Sequence, residues 1–222
     1  MKNIYLDNAA ATPIDSRVLK VMFGVQKKYG NPSSYNNVGR LARAEMESAR
    51  LTIARFLGAH SEEIIFTSSG SEANNLALIG ALANLKGTVL TTPIEHPSVL
   101  EPLKKLKNIN LKLIPVDKEG AVDLKVFEKI LTADCRLVSV MYANNEIGTI
   151  QPIRQIAKII KDFKTRNSKL ETRNFPLFHV DACQATGFLN MNVPHLGAVF
   201  LPFNGSKISG PRGIGVLYVR RG

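Results

Sequence analysis

The sequence predicts an α/β domain: a mostly parallel sheet flanked by helices. Three observations lead there. Short apolar runs recur along the chain, and most are continuous instead of alternating, as expected of strands covered on both faces. Longer amphipathic segments separate these runs, so strand and helix alternate. The chain has 222 residues, 45% of them hydrophobic, which is enough to bury one sizeable core.

The first predicted element is a helix over 15–28, with Asp15 as its cap and Val18, Val21, Met22 and Val25 spaced along one apolar face. A second helix covers 39–57. A strand at Ile64-Ile65-Phe66 leads through Ser68-Ser69-Gly70-Ser71 into a helix over 72–85. The strand Thr88-Val89-Leu90 precedes a helix over 97–106. Two further strands follow, at Leu111-Lys112-Leu113-Ile114 and Leu137-Val138-Ser139-Val140-Met141, and then a helix over 153–163. The most polar stretch, 164–174, reads as a helix end plus a loop. Three last strands are Leu177-Phe178-His179-Val180, Ala198-Val199-Phe200-Leu201 and Val216-Leu217-Tyr218-Val219. No repeat or shift in composition divides the chain, so 1–222 is expected to be one domain.

Formal charge is +11, concentrated in Lys104, Lys105, Lys107 and Lys112 and again in Lys158, Lys161, Lys164, Arg166 and Lys169. Such clusters attract anionic ligands, nucleic acid or acidic partners. Aromatic residues are not interleaved with them as in a base-stacking platform, so solvated helix faces and loops are the favoured explanation and nucleic-acid binding is not expected. Cys135 and Cys183 are too few for a disulfide framework and read as small buried hydrophobes. The N-terminal residues are interrupted by polar groups before a signal core develops, and no apolar stretch is long enough to span a bilayer. A cytoplasmic protein without membrane partners is the expectation.

The chemistry-bearing residues fall between the apolar runs. Lys207 lies in Asn204-Gly205-Ser206-Lys207, and Asp181 ends an apolar strand, where open α/β sheets gather ligand groups. An amine and a carboxylate in such places suit pyridoxal 5'-phosphate. The lysine can hold the cofactor as a Schiff base, and the acid keeps the ring nitrogen protonated and the ring a strong electron sink. Gly70 and Ser71 open a helix whose free amides attract phosphate, although Ser71 could equally cap that helix. His96 could stack on an aromatic cofactor and pass protons, or simply sit at a helix start. Asn145 and Gln184 could offer amides to a cofactor oxygen. His179, Asp181 and Cys183 alternate along one strand, but no second cluster has a metal-like spacing, so no metal is expected.

Several segments, in order, resemble the cysteine desulfurases of the class V aminotransferase family. They are 5–13 (Tyr5 to Pro13), 30–34, 66–75, Glu95-His96, Asn144-Asn145-Glu146-Ile147-Gly148, His179-Val180-Asp181 and 210–215. The resemblance spans essentially the whole chain. It implies the large domain of a fold type I pyridoxal phosphate enzyme whose site is completed in a homodimer. Gly70 and Ser71 would hold phosphate, His96 would stack on the ring, and Asn145 and Gln184 would bind the ring oxygen. Asp181 would pair with the ring nitrogen, and Lys207 would carry the cofactor and move protons, with His96 assisting.

The resemblance further implies sulfur removal from L-cysteine or a related amino acid, giving alanine and a persulfide that passes to a sulfur-acceptor protein. Where the family shows Ser-x-His-Lys, this chain reads Asn204-Gly205-Ser206-Lys207, with Asn204 and Ser206 as replacement hydrogen-bond donors. The family continues beyond the lysine region into a small domain, expected to be absent here. That part carries the sulfur-accepting cysteine, a phosphate contact for the neighbouring subunit and an arginine for the substrate carboxylate. Selenocysteine lysis, β-elimination, transamination and cofactor or partner binding without turnover stay open as alternatives.

Overall fold

The computed structural model describes residues 4–167 and 175–221. Among them are seven strands: β1 (Ile64–Thr67), β2 (Gly87–Thr91), β3 (Ile109–Leu113), β4 (Cys135–Met141), β5 (Leu177–Asp181), β6 (Phe200–Asn204) and β7 (Gly215–Val219). All seven predicted strands are present. The helices are α1 (Ser16–Gln26), α2 (Asn37–Leu57), α3 (Gly70–Leu82), α4 (Pro97–Lys105), α5 (Leu124–Ile130), α6 (Ile153–Arg166) and α7 (Val193–Leu196). The expected helix end near 164 is therefore at Arg166, capped by Asn167, while 168–174, including Lys169, lie outside the described residues.

The strands form one sheet in the order β1-β7-β6-β5-β4-β2-β3. Pairing is parallel across β6, β5, β4, β2 and β3, and antiparallel where β7 meets β1 and β6. Because β7 alone is reversed, β1 points the same way as β6. The C-terminal ends of β1, β2, β4, β5 and β6 therefore share one edge of the sheet. The chain leaves that edge at Thr67, Thr91, Met141, Asp181 and Asn204, and the next few residues after each make up the candidate site.

Burial follows from this layering. The inner strands β2, β4 and β5 are almost wholly buried, whereas the edge strand β3 leaves Leu113 exposed. Phe127, Phe178, Leu90 and Ile156 lie in the main core. Helix α3 is apolar nearly all round, and Ala73 and Ala77 pack against Leu217 of β7. Helix α6 buries Ile153, Ile156 and Ile160 on one stripe, while Lys158 on its outer face pairs with Asp162 at 2.8 Å. Such an exposed pair contributes little to stability.

The structure adds to or adjusts the helix reading at three places. α3 starts at Gly70, because Ser69 supplies the cap by accepting from Glu72 N at 3.1 Å. Sequence periodicity did not reveal α5 and α7, which have 7 and 4 residues, too few to show a helical period. They are held by the side chains of Asp123 and Asn192, which cap their first turns. α1 forms with Asp15 as predicted, accepting from Arg17 N at 2.7 Å, but it buries no residue, and Val21 and Phe23 of its apolar surface are both 65% exposed. It is anchored through its cap: Asp15 N donates to Ser209 O at 3.0 Å.

The main core should respond to truncation and the surface should not. Phe178→Ala is expected to destabilise the chain by about 3–5 kcal/mol in urea unfolding, while Phe188→Ala changes stability by less than about 0.5 kcal/mol. Phe178 is 2% exposed and Phe188 is 78% exposed.

Candidate functional site

The shared edge of the sheet encloses a cavity of about 500 Å³. After β1 it is lined by Gly70 and Ser71, after β2 by His96, after β4 by Asn145, at the end of β5 by Asp181 and Gln184, and after β6 by Asn204, Ser206 and Lys207. Every residue singled out from the sequence as a candidate for this site reaches it. A larger groove of about 960 Å³ runs along α6, lined by Arg154, Lys158, Lys161, Lys164 and Arg220, and contains none of them.

Asp181 is the most constrained member. It is 5% exposed, and Oδ2 accepts from Asn74 Nδ2 at 2.8 Å while Oδ1 accepts from Cys183 N at 3.0 Å. Both donors are neutral, and among the described residues no cation is paired with this carboxylate. A buried carboxylate in that state favours a positive ligand.

Lys207 is the last residue of a 3₁₀ turn, Gly205–Lys207, that follows β6. Its ammonium donates to the carbonyls of Ala9 and Ala10, the latter at 2.7 Å. The N-terminal segment is thus part of the site. Gln184 Nε2 also donates to Ala9 O at 2.9 Å, and Thr12 N donates to Ser206 O at 2.8 Å.

Neighbours satisfy the backbone around the other candidates. Ser69, not Ser71, caps α3, and Glu72 folds back to accept from the amide and hydroxyl of Ser68, which hold its carboxyl below the usual range. A Cβ on Gly70 would lie 2.6 Å from Cys183 Sγ, so the first turn of α3 comes this close only with glycine there. Asn144, not Asn145, organises the turn after β4, accepting from Glu146 N at 2.8 Å and Ile147 N at 3.0 Å. His96 combines both roles: it caps α4, accepting from Ser98 N at 3.1 Å, and lines the cavity.

Behind the cavity lie two buried titratable groups that sequence reasoning had not placed there. Glu95 Oε1 accepts from Thr92 Oγ1 at 2.7 Å and Met141 N at 2.8 Å, while Oε2 has no partner among the described residues. Burial pushes its carboxyl up to about 8, and nearby Asp181 adds to the shift. His179 Nδ1 meets Ser139 Oγ at 2.8 Å across the β4–β5 register, and burial lowers its imidazole to about 4. Burial also raises both thiols, Cys135 to about 12 and Cys183 well above the usual range, so neither supplies a thiolate. Asn74 and Ser98 were likewise missed as site members, although each follows a recognised residue by one helical turn or less: Ser71 and His96.

The fold is pyridoxal phosphate fold type I, and an amine and a buried carboxylate line one of its cavities. The chain belongs to the class V aminotransferase family, a pyridoxal phosphate-dependent group, whose model matches residues 4–222. It is 41% identical over 227 residues to a cysteine desulfurase IscS of Dictyoglomus turgidum, covering 100% of this chain and 55% of that protein. It is 37% identical over 228 residues to the cysteine desulfurase NifS of Azotobacter vinelandii, covering 100% of this chain and 54% of that protein.

Among solved structures, a NifS-like protein superposes with a TM-score of 0.90 at 39% identity, over 100% of this chain and 60% of that one. SspA in complex with cysteine gives 0.88 at 33% identity, over 98% and 61%. The chain spans about half the length of the curated relatives it matches. Among the described residues, no helix is long and apolar enough to cross a membrane.

Glu95 generates a pH prediction. In the unfolded chain its carboxyl ionises near the ordinary value of 4.5, whereas in the folded chain it stays protonated to about 8. The folded state therefore binds the extra proton between these values, and its stability falls as pH rises through that window. Glu95→Gln removes this term, so its stability relative to the native chain should rise from pH 5 to pH 8, by up to roughly 1.4 kcal/mol per pH unit. Urea unfolding at several pH values measures it, and a difference independent of pH would contradict the protonated state assigned to Glu95.

Proposed function

We propose that this chain is the pyridoxal phosphate-binding large domain of a cysteine desulfurase, whose complete form removes sulfur from L-cysteine to give alanine and a persulfide. The observation that carries the proposal is the pair of Asp181 and Lys207 on one cavity, the acid buried and, among the described residues, in no ion pair. The residues present fit the cofactor. Among the described residues Asp181 has no paired cation and the Asn204 Oδ1 atom is buried without a partner, and Gly70 leaves a cradle that a Cβ would fill. When bound, pyridoxal phosphate supplies the electron sink that stabilises negative charge at the substrate Cα.

The chain's own groups divide the remaining work. Asp181 keeps the ring nitrogen protonated. The first-turn amides of α3 at Gly70 and Ser71, which have no carbonyl one turn earlier to bond, hold the phosphate. His96 covers the ring, Asn145 and Gln184 bind the ring oxygen, and Asn204 and Ser206 donate near the attachment point. Lys207 is the amine that would attach the cofactor, and once freed it would take the proton from the substrate Cα. A thiolate from outside these 222 residues would attack the substrate sulfur, forming the S–S bond as the C–S bond breaks with its electron pair left on the carbon side, and two protons would then be returned, one to Cβ and one to Cα, to give alanine.

The names of the relatives support cysteine as the substrate, as does the cysteine complex among the structural neighbours. In this proposal the complete enzyme is a cytoplasmic homodimer that hands sulfur to an acceptor protein. The test is incubation of the purified chain with pyridoxal phosphate, borohydride trapping and peptide mapping. The label is expected on Lys207, with the visible absorbance of the bound cofactor lost in Lys207→Ala. Equal labelling of that variant would sink the assignment.

A further inference from the structure

One polar network beside the cavity is unexplained by capping or by the proposed binding roles. Asn74 is 1% exposed, and its Nδ2 donates both to Asp181 Oδ2 at 2.8 Å and to Ser98 Oγ at 3.0 Å. Its Oδ1 has no partner among the described residues. The opposite amide orientation would set that oxygen against the Asp181 carboxylate, so the donor assignment is fixed by electrostatics. Ser98 Oγ meets His96 Nδ1 at 2.7 Å. The chain Asp181–Asn74–Ser98–His96 thus joins the acid of β5 to the imidazole at the start of α4 through two residues that lie 24 positions apart.

Hydrogen bookkeeping gives the network a direction. Asn74 donates into Ser98 Oγ, which leaves the Ser98 proton to point at His96 Nδ1. Ser98 N donates to the same nitrogen at 3.1 Å. Two donors converge on Nδ1, so that nitrogen carries a lone pair, and the neutral ring carries its proton on Nε2.

We propose that Asn74 and Ser98 are positioning residues that tie Asp181 to His96 and hold His96 as its Nε2–H tautomer. The tautomer is a property of the free chain, and its use rests on the pyridoxal phosphate reading above. A ring held this way offers a ligand a hydrogen-bond donor, not a base. His96 can accept a proton from substrate only at Nδ1, by breaking both Ser98 bonds, or after giving up the Nε2 proton. The network therefore leaves Cα proton abstraction to Lys207. Asn74 has a second effect, because its donor on Oδ2 orients the Asp181 carboxylate toward the ligand it awaits.

The experiment is nitrogen NMR of the full chain labelled at histidine, without cofactor, at a pH where the ring is neutral and with His96 identified by its loss in His96→Gln. The expected result is a single tautomer with unprotonated Nδ1. Ser98→Ala leaves only the longer backbone bond on Nδ1 and should let a second tautomer appear, and Ser98→Thr should restore the single form. In the cofactor arm, Asn74→Ala should weaken pyridoxal phosphate binding about tenfold, the value of one hydrogen bond to a charged group.

A protonated Nδ1 in the unsubstituted chain overturns the proposal. So does a cofactor affinity unchanged within about twofold in Asn74→Ala, the fold being checked by its unfolding transition. Failure of the native chain to bind cofactor would reject the proposed function, while the tautomer in the free chain still decides whether the network orders His96.

Discussion

A carboxylate held at the end of a fully covered strand organises this molecule. Asp181 ends β5 in the middle of the sheet, where its own carbonyl accepts from Tyr142 N at 2.8 Å and its side chain faces a cavity edged by five strand ends. Neutral donors stabilise its charge only partly, so the local electrostatics favour a cation at that position. They also influence the neighbours. Burial and the same negative charge together keep the Glu95 carboxyl protonated to about 8 and raise the Cys183 thiol. A second acid beside it is therefore kept neutral, and the thiol near Gly70 is kept protonated.

The second constraint is the N-terminal segment folded over the Lys207 loop. Carbonyls of Ala9 and Ala10 hold the ammonium, and Thr12 bonds to the loop on both sides of the lysine, accepting from Ser209 N at 2.7 Å and donating to Ser206 O. Ser209 has φ 57°, and it is the one non-glycine among the described residues in left-handed backbone. Such a residue persists where surrounding bonds over-determine it, and here the bonds from Thr12 and Asp15 do so. Lysine reach and loop shape thus depend on residues nearly two hundred positions away. This explains how α1 keeps its place although it contributes nothing to the core.

Much of this was legible in the sequence, for identifiable reasons. Most strands were continuous apolar runs, because the inner parallel strands are covered on both faces and leave no polar alternation to blur the signal. The nine candidate site residues were legible because they follow those runs, and strand ends on one sheet edge meet in space. What failed was local or long-range. The four residues of α7 cannot show a period, and the apolar spacing of α1 says that a face exists without saying what covers it. The Asn74–Asp181 bond joins residues 107 positions apart, so no spacing rule could suggest it.

The pairs that sequence left ambiguous were resolved by a division of labour between neighbours. Ser71 could have been a cap or a ligand donor, and Ser69 takes the cap. Asn145 could have been a turn residue or a ligand donor, and Asn144 makes the turn. In both places a residue of the same type one or two positions earlier satisfies the backbone, so the one lining the cavity is not needed to cap the helix or make the turn. His96 has no such understudy. It caps α4 through Nδ1, so the bond that starts the helix also determines which ring nitrogen carries the proton. At that residue the folding requirement and the chemistry cannot be separated, and a substitution there that spares one must disturb the other.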